Sequence, residues 1–381
     1  MRPLRVVPVG DPLHVLTELR LALSASGDAL LPVPATAAAE SSRPDRLGPV
    51  PRRVAVVIET SGSTAAPKRV MLSTDALLAS AAASSVALGG DGQWLLALPA
   101  HYIAGVQVLV RSIAAGTEPV LLPPGHFDPA VFAEYAGRLV EPLRFTSLVP
   151  VQLARLLDAA DADPAILAVL RRFTGILVGG QAVAPALIDR AERLRIRVLR
   201  TYGSSETAGG CVYDGIPIGD TRVRAVDGQL EISGAVLADG YLGDEDRTAD
   251  RFLDDQGVRW YRTGDLGAVA DDGTVSVTGR ADNVIVSGGE KVSLDAVETL
   301  VRTLPGLAEA LVVRAADPVW GQAPVVVLAA TVPPPLEPVR AAAASALGRA
   351  ARPARIVTVD AIPLLASGKP DRQALEAFIA R

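Results

Sequence analysis

The sequence is poor in several residue types, and each shortage argues against a class of protein. Cys211 is the only cysteine among 381 residues, which excludes a disulfide framework or a multi-cysteine metal site and fits a reducing compartment. Aromatic residues make up 4% of the chain and the net charge is −5, so nucleic acid is not expected as the main partner. The N-terminus leads into no long apolar segment, and we expect no secretory signal.

Lysine is rare compared with arginine. Of 37 basic residues only three are lysines, Lys68, Lys291 and Lys369, and the other 34 (37 − 3) are arginines. A lysine is therefore expected where a compact ammonium on a flexible stem is needed. Each lysine lies in or just after a segment that contains glycine or serine, which marks three candidate functional loops.

The rest of the composition is typical of a globular protein. Apolar residues make up 49% of the chain and charged residues 21%, enough for a large core and two or more domains. The longest uncharged apolar run, Trp94 to Val110, is interrupted by polar groups and is short for a membrane span. We expect buried core there, and a cytoplasmic protein without membrane insertion.

Strands alternate with helices from residue 54 to residue 200, which predicts a layered α/β domain. The predicted strands are 54–58, 94–98, 120–122, 145–149, 175–178 and 196–200, and the predicted helices are 73–86, 103–114, 129–138, 150–158, 163–171 and 184–193. Before them, residues 1–50 show one helix, Pro12 to Ser26, and a Pro/Ala/Ser-rich passage. After about residue 215, short β runs predict a β-rich subdomain, followed by a mixed α/β tail.

The segment from Glu59 to Arg69 has the composition of a phosphate-holding loop. It follows a buried strand and combines small or hydroxylated residues with Lys68. Small side chains let backbone N–H groups converge on an anion, and the lysine adds a full charge. Pro67 precedes that lysine, so the segment is not a Walker A loop. A Ser/Thr-rich surface turn is the second interpretation of this segment.

Five further motifs follow in order along the chain. They are Gly179-Gly180-Gln181, Thr201-Tyr202-Gly203-Ser204-Ser205-Glu206-Thr207, Tyr261-Arg262-Thr263-Gly264-Asp265-Leu266, Gly279-Arg280-Ala281-Asp282 and Ser367-Gly368-Lys369. Together with the loop they resemble the adenylate-forming superfamily, which includes acyl-CoA synthetases, peptide-synthetase adenylation domains and luciferases. The segment from Leu98 to Gln107, with Arg111, is similar to o-succinylbenzoate–CoA ligases of menaquinone biosynthesis, in their shorter actinobacterial form.

The resemblance implies a fold and a reaction. We expect a large α/β N-terminal domain with a β-rich subdomain over residues 1–281, and a small mobile α+β C-terminal domain over residues 282–381. The implied reaction uses ATP, Mg²⁺ and coenzyme A. It adenylates a carboxylate with release of pyrophosphate and then transfers the acyl group to the thiol. Small molecules are the expected partners, and a homodimer is left open.

The resemblance also assigns nucleotide-binding roles to residues of this chain. The phosphate loop would use Thr60, Ser61, Gly62, Ser63, Thr64 and Lys68, and the adenine wall would use Gly179, Gly180, Gln181, Thr201, Tyr202 and Gly203. Ser205 would donate to the α-phosphate and Glu206 would hold Mg²⁺. Asp265 would bind the ribose hydroxyls, with Arg280 nearby. Taken singly, Gly179-Gly180-Gln181 is better explained as an ordinary turn, and Glu206 and Asp265 as solvated carboxylates.

Three more assignments concern the C-terminal region. Lys369 would contact the substrate carboxylate and the α-phosphate during adenylation, and stabilise the transition state electrostatically. Asp282 matches the hinge position, although a plain turn residue fits the same place. Lys291 would lie on the face used for thioester formation, but Val286 replaces a lysine that is common there.

The acid pocket is the least legible part of the sequence. His101, Tyr102, Gly105 and Arg111 are the candidate residues, and a guanidinium suits the second carboxylate of o-succinylbenzoate. Tyr102 stands where the family commonly has histidine, which leaves open whether His101 or Tyr102 faces the substrate. A charge on a helix surface is the second interpretation of Arg111.

Two departures from the family pattern leave room for a different function. Ala65 and Arg69 replace glycines of the phosphate loop, and alanine is strained where positive φ is required. The chain could thus be a catalytically impaired nucleotide-binding homologue. A CoA ligase for another aryl or fatty acid, and an adenylation domain that loads a carrier protein, would also carry these motifs.

Overall fold

The computed structural model describes residues 1–35, 48–60, 67–364 and 370–380. The chain divides into two compact units. The large unit comprises Met1–Arg224, Glu231–Arg262 and Val269–Val275, and the small unit comprises Ala225–Leu230, Thr263–Ala268 and Ser276–Arg381. The domain boundary between residues 281 and 282 stays a prediction.

The strands and helices are as follows in chain order. The strands are β1 (Leu4–Pro8), β2 (Ala29–Val33), β3 (Val54–Thr60), β4 (Lys68–Ser73), β5 (Gln93–Leu96), β6 (Val120–Leu121), β7 (Arg144–Leu148), β8 (Gly175–Val178), β9 (Val198–Ser204), β10 (Gly209–Tyr213), β11 (Ile216–Pro217), β12 (Arg222–Val226), β13 (Gln229–Ser233), β14 (Gly240–Tyr241), β15 (Phe252–Asp255), β16 (Val258–Val269), β17 (Val275–Arg280), β18 (Val284–Ser287), β19 (Glu290–Ser293), β20 (Leu311–Asp317), β21 (Gly321–Ala329) and β22 (Arg355–Val359). The helices are α1 (Pro12–Leu23), α2 (Thr74–Leu88), α3 (Ile103–Ala115), α4 (Pro129–Ala136), α5 (Pro150–Ala162), α6 (Pro164–Leu170), α7 (Pro185–Arg193), α8 (Glu245–Arg251), α9 (Leu294–Val301), α10 (Leu336–Leu347) and α11 (Arg372–Ile379).

Two sheets organise the large unit. The seven-stranded sheet has the order β11-β10-β9-β8-β7-β5-β6, and its strands from β6 to β9 are parallel. Its central strands are apolar on both faces and contribute to a buried cluster with Phe132, Leu157 and Ile176. The five-stranded sheet has the order β1-β2-β3-β4-β14. Parallel strands covered by helices direct their carboxyl ends to one edge, where ligands usually bind.

Helices α2 and α3 show how local sequence sets the element ends. The Ser73 hydroxyl accepts a hydrogen bond from the Ala76 amide at 3.1 Å and caps the start of α2. Gly89 ends α2 in the left-handed conformation, and Gly116 does the same for α3. Residues Val106 to Ser112 of α3 are all buried, which confirms the prediction of core for the end of the run from Trp94 to Val110, whereas Pro99 within that run is exposed.

The small unit contains a sheet of its own in the order β19-β18-β21-β20, with β22 paired in parallel to β21. Helices α9 and α11 contribute Val297 and Leu375 to its buried clusters. One buried carboxylate ties three segments together. Glu298 binds Arg302 at 2.9 Å and Arg372 at 2.7 Å, and accepts the Val312 amide at 2.9 Å.

Between residues 54 and 200 every predicted strand and helix is present in type and order, but the structure adds β4, a strand that was not predicted. The sequence interpretation also missed β1 and β2, which flank α1, because it predicted only one helix and a Pro/Ala/Ser-rich passage in residues 1–50. Both are short, and Pro8 and Pro32 fall within them, which hides the strand pattern. Among the described residues, no helix is long and apolar enough to cross a bilayer.

Candidate active site

The first group of predicted residues lies at the carboxyl ends of the parallel strands β8 and β9. Gly179 follows β8, and a Cβ on it would meet the Thr201 hydroxyl oxygen at 2.3 Å, so only glycine permits this close approach. Thr201 Oγ1 donates to the Val178 carbonyl at 3.4 Å. Gly180, with φ of +79°, and Gln181 are exposed beside it. The structure therefore brings these motif residues to one edge.

The end of β9 presses closely against β10. A Cβ on Gly203 would lie 2.1 Å from the Gly209 carbonyl oxygen, and the pairing register shifts between Gly210 and Val212. Tyr202, one residue earlier, is half-buried. The glycines thus allow an irregular strand end at the place where the adenine wall was predicted.

A short 3₁₀ turn, Ser205–Thr207, follows β9 and is buried. Thr207 Oγ1 accepts the Ser204 amide at 2.9 Å and donates to the Gly209 carbonyl at 2.8 Å. Ala208 then adopts a left-handed conformation, with φ of +49°, which is uncommon for a residue with a side chain. These bonds fix the turn that carries Ser205 and Glu206.

Glu206 is 5% exposed, and its Oε1 accepts a hydrogen bond from the Tyr241 hydroxyl at 2.8 Å. Burial and the negative charge of Glu206 raise the pKa of Tyr241, so the hydroxyl stays protonated and donates. Within the described ranges, no three His, Cys, Asp or Glu side chains form a metal site together. A single carboxylate nevertheless suits Mg²⁺, which takes one or two protein carboxylates along with substrate phosphates.

The phosphate loop connects the two strands of a hairpin. Thr60 at the end of β3 pairs with Lys68 at the start of β4, and Glu59 pairs with Arg69. The Arg69 Nε atom lies 3.0 Å from Glu59 Oε2. Arg69 therefore occupies ordinary strand backbone and has a cross-strand acidic partner, in contrast to the glycine that the family pattern led us to expect. Ser61, Gly62, Ser63, Thr64 and Ala65 lie outside the described residues.

A second group lies on helix α3 and strands β5 and β10 of the same unit. Arg111 is 6% exposed, and its guanidinium carbon lies 4.9 Å from the centroid of the Trp94 ring. Its Nη2 donates to the Tyr213 hydroxyl at 3.4 Å, while its buried Nε has no hydrogen-bond partner in the described part of the chain. No ion pair of Arg111 occurs there either. The interpretation as a helix-surface charge is wrong, because this cation is buried.

The aromatic pair before α3 is partly buried. The rings of His101 and Tyr102 lie 4.1 Å apart between centroids. Burial lowers the pKa of His101 to about 4 and raises that of Tyr102, so both are neutral near pH 7. A Cβ on Gly105 would lie 2.3 Å from the Pro99 carbonyl oxygen, so this glycine lets α3 approach the preceding loop. Which ring faces the acid stays open.

In the small unit, Asp265 and Arg280 are direct neighbours. Arg280 Nη1 lies 3.0 Å from Asp265 Oδ1, and its Nε and Nη2 lie 3.2 Å from the Asp282 carboxylate. Burial alone would lower the pKa of Arg280, but the two carboxylates outweigh it and raise that pKa. The Asp265 amide donates to Thr263 Oγ1 at 2.9 Å. Predicted ribose and hinge residues are thus linked through one guanidinium.

Lys369 lies outside the described residues, but both ends of its loop are described. Leu364 and Pro370 form an isolated antiparallel bridge, and the Asp371 amide donates to the Pro363 carbonyl at 2.8 Å. Arg372 then anchors the start of α11 through Glu298. Lys291 lies on β19 and is exposed.

Sequence reasoning missed several residues that complete these groups. Trp94 and Tyr213 contact Arg111, Ser84 contacts Tyr213, and Tyr241 binds Glu206. Tyr213 ends β10, a strand that the sequence interpretation did not include. One sequence signal could have pointed to this group. Ser80 and Ser84 recur at helical spacing, which predicts a face of α2 that carries hydroxyl groups.

The chain matches the sequence profile of the AMP-binding enzyme family over residues 12–242, and that of the AMP-binding enzyme C-terminal domain over residues 296–369. These matches confirm the predicted class of a large N-terminal domain with a small C-terminal domain. The chain is 42% identical over 329 residues to a probable 2-succinylbenzoate–CoA ligase of Mycobacterium tuberculosis, with 84% of each chain covered.

Solved structures give the same fold. An o-succinylbenzoate CoA synthetase from Bacillus subtilis, in complex with its acyl-adenylate intermediate, superposes with a TM-score of 0.76 at 24% identity, covering 95% of this chain and 81% of that one. The Bacillus subtilis synthetase in complex with ATP and magnesium ion gives a TM-score of 0.74 at 23% identity, covering 97% and 83%. At these identities the likeness is one of fold.

Proposed function

Since the chain belongs to the family of AMP-binding enzymes, we propose that it is an AMP-forming 2-succinylbenzoate–CoA ligase. The observation that carries this proposal is the 42% identity to the mycobacterial ligase along 84% of both chains. Membership of the family supplies the reaction type, namely adenylation of a carboxylate followed by transfer to a thiol. The sequence identity to the mycobacterial ligase indicates which acid is the substrate, namely 2-succinylbenzoate.

The acid is supported by the charge around α3. 2-Succinylbenzoate carries two carboxylates, of which one reacts and the other must be held. Arg111 is a buried cation whose Nε lacks a partner among the described residues, and a buried charge without a counterion is costly. A carboxylate of the substrate would fill that gap with a charge-assisted hydrogen bond. His101, Tyr102 and Gly105 would line the same pocket.

In the first half-reaction, a carboxylate oxygen of the acid attacks the α-phosphorus of ATP, and pyrophosphate leaves. Thr60 to Lys68 would hold the departing phosphates, Ser205 would donate to the α-phosphate, and Lys369 would stabilise the charge that shifts to pyrophosphate. Magnesium, held by Glu206, would neutralise phosphate charge. Gly179 to Gln181 and Thr201 to Gly203 would bind adenine, and Asp265 with Arg280 the ribose.

In the second half-reaction, the thiol sulfur of coenzyme A attacks the acyl carbon, and AMP leaves with the bonding electron pair. No enzyme nucleophile is required. Burial raises the pKa of the Cys211 thiol to about 12, which fits a structural role for this residue. Asp282 as hinge and Lys291 as a residue of the thioester-forming face are part of the same proposal, as are a cytoplasmic location and a homodimeric assembly.

The test is to measure pyrophosphate release and thioester formation with ATP, Mg²⁺ and coenzyme A. The acids are 2-succinylbenzoate, benzoate and a medium-chain fatty acid. We expect turnover with 2-succinylbenzoate only. Turnover with a different acid would retain the reaction and refute the substrate, and silence with every acid despite ATP binding would indicate a catalytically impaired homologue.

A variant pair separates the two half-reactions. Lys369→Ala should abolish pyrophosphate release, yet still form thioester from synthetic acyl-adenylate, because its charge is needed only while pyrophosphate leaves. Lys291→Ala removes an ammonium group from strand β19 instead, and it should retain adenylation. Equal loss of both half-reactions in Lys369→Ala would contradict the assigned role.

A further inference from the structure

Arg111 is the end of a buried chain of hydrogen bonds. Its Nη2 donates to the Tyr213 hydroxyl at 3.4 Å, and that hydroxyl lies 2.8 Å from the Ser84 hydroxyl. Ser84 Oγ donates to the Ser80 carbonyl at 2.8 Å, one turn earlier in α2. Ser80 Oγ donates in turn to the Ala208 carbonyl at 3.0 Å. The chain thus runs from α3 to the turn that carries Glu206.

The direction of the protons in this chain follows from the number of donors. Ser84 has one hydroxyl proton, and the Ser80 carbonyl takes it. Tyr213 must therefore supply the proton of the bond that it shares with Ser84. The lone pairs of the Tyr213 oxygen then remain for the guanidinium, so the tyrosine acts on Arg111 only as an acceptor.

The surroundings of Arg111 show what this acceptor does. The Trp94 ring supports the guanidinium on one face, which restrains its plane but leaves it free to turn within that plane. A hydrogen bond from Nη2 to Tyr213 stops the turning. The buried Nε atom, which has no hydrogen-bond partner in the described part of the chain, then remains to bind a ligand.

We propose that Tyr213, oriented by Ser84, is a positioning residue that aligns Arg111 for the second carboxylate of the acid and thereby sets specificity for dicarboxylic acids. The proposal rests on the proposed function for the identity of that acid. Tyr213 is 4% exposed and makes its hydrogen bonds on the side of α2 and α3. It acts through Arg111 and not on the reacting atoms.

The test compares two acids in the full-length enzyme. One is 2-succinylbenzoate, and the other is its monoamide at the carboxylate that does not react. Tyr213→Phe should raise KM for the dicarboxylic acid by about 5-fold, because the long hydrogen bond that it removes is worth at most about 1 kcal/mol. The kcat should stay within about twofold, and KM for the monoamide should not change, because the amide carries no charge for Arg111 to hold.

Two matched controls separate positioning from general destabilisation. Tyr135→Phe alters a tyrosine that lies under Arg138 at 3.7 Å, on a helix outside the site, and should leave both KM values unchanged. Ser112→Ala removes a buried helical hydroxyl whose one hydrogen bond within the described ranges is to Val108 of its own helix. Ser84→Ala removes the same kind of bond plus the contact with Tyr213, so only Ser84→Ala should raise KM for the dicarboxylic acid.

Equal increases of KM for both acids in Tyr213→Phe, or no increase for either, would overturn the proposal. If the wild-type enzyme does not use 2-succinylbenzoate, the proposed function fails, and the tyrosine is then judged from the crystal structure of Tyr213→Phe. There we expect the Arg111 guanidinium to be rotated over Trp94 relative to the wild type. A guanidinium in the wild-type orientation would refute positioning by Tyr213 whatever the substrate.

Discussion

Replacing Arg111 by methionine should stabilise the ligand-free protein while it impairs the enzyme. The guanidinium is 6% exposed and has no acidic partner among the described residues. Burial of an ion costs several kcal/mol even after relaxation of the protein. Two contacts offset this cost: the long hydrogen bond to Tyr213, at most about 1 kcal/mol, and the Trp94 ring, about 1 kcal/mol.

The balance leaves the buried cation unfavourable until a carboxylate arrives. Methionine fills a similar volume without charge, so Arg111→Met should gain about 1 kcal/mol of stability, and Tm should rise by about 2–4 °C. The same change would remove the charged hydrogen bond that we propose between Arg111 and the substrate, worth about 1.5–3 kcal/mol. KM for 2-succinylbenzoate should therefore rise by about 10- to 100-fold.

The assay is thermal unfolding without ligands, paired with steady-state kinetics of pyrophosphate release. Arg138→Met is the matched control, because this arginine also lies over an aromatic ring but is 54% exposed and pairs with Glu134 at 2.6 Å. It should lose no more than about 0.5 kcal/mol and keep its KM. A lower Tm for Arg111→Met, or an unchanged KM, would refute the reasoning.

Three other predictions concern single carboxylates and a histidine. Tyr241→Phe leaves buried Glu206 without a hydrogen-bond donor among the residues that the structure describes and should cost about 1–3 kcal/mol, less when Mg²⁺ and ATP are added. A Tm loss that ligands do not reduce would contradict the proposed metal role. Glu298→Gln, at an 8% exposed side chain, should destabilise the small unit by about 2 kcal/mol, whereas Glu337→Gln, 73% exposed, should cost under about 0.5 kcal/mol, both measured by hydrogen exchange. Burial lowers the pKa of His101 to about 4, so the pressure to protonate this side chain should destabilise the folded protein as pH falls from about 6.5. His101→Gln should therefore lose less Tm than the wild type between about pH 7 and about pH 5, and an equal loss would refute this.

The sequence was sufficient where one local pattern decided the structure. Strand 175–178 has the predicted residues, because it is a short apolar run between clear breaks. The glycines of the motifs could also be identified from the sequence, because a local feature of the backbone requires them. The close approach of Gly179 to Thr201 and of Gly203 to Gly209 leaves no space for a side chain, so the sequence at those points is dictated by the backbone.

Contacts between distant segments could not be predicted in this way. Arg111 and Tyr213 are separated by 102 positions, and Arg69 finds Glu59 only once the hairpin register is set. Arg111 lies on helix α3, and its burial depends on Trp94 of strand β5. Composition and periodicity therefore favoured neither the substrate-binding nor the helix-surface interpretation of its charge. Tyr241 likewise reaches Glu206 through β14, a strand of two residues that has no sequence signal.

Because β3 pairs with β4, the segment between these two strands can be replaced without changing the sheet. Thr60 pairs with Lys68, and the ion pair between Glu59 and Arg69 reinforces this pairing. The two ends of the segment are therefore held together by contacts outside it, and these contacts remain when the residues between them change. Closing a loop of different length costs little, about 0.6 kcal/mol per doubling. Residues 61–67 of a relative can therefore be grafted here in one step, without altering the strand pairing on either side.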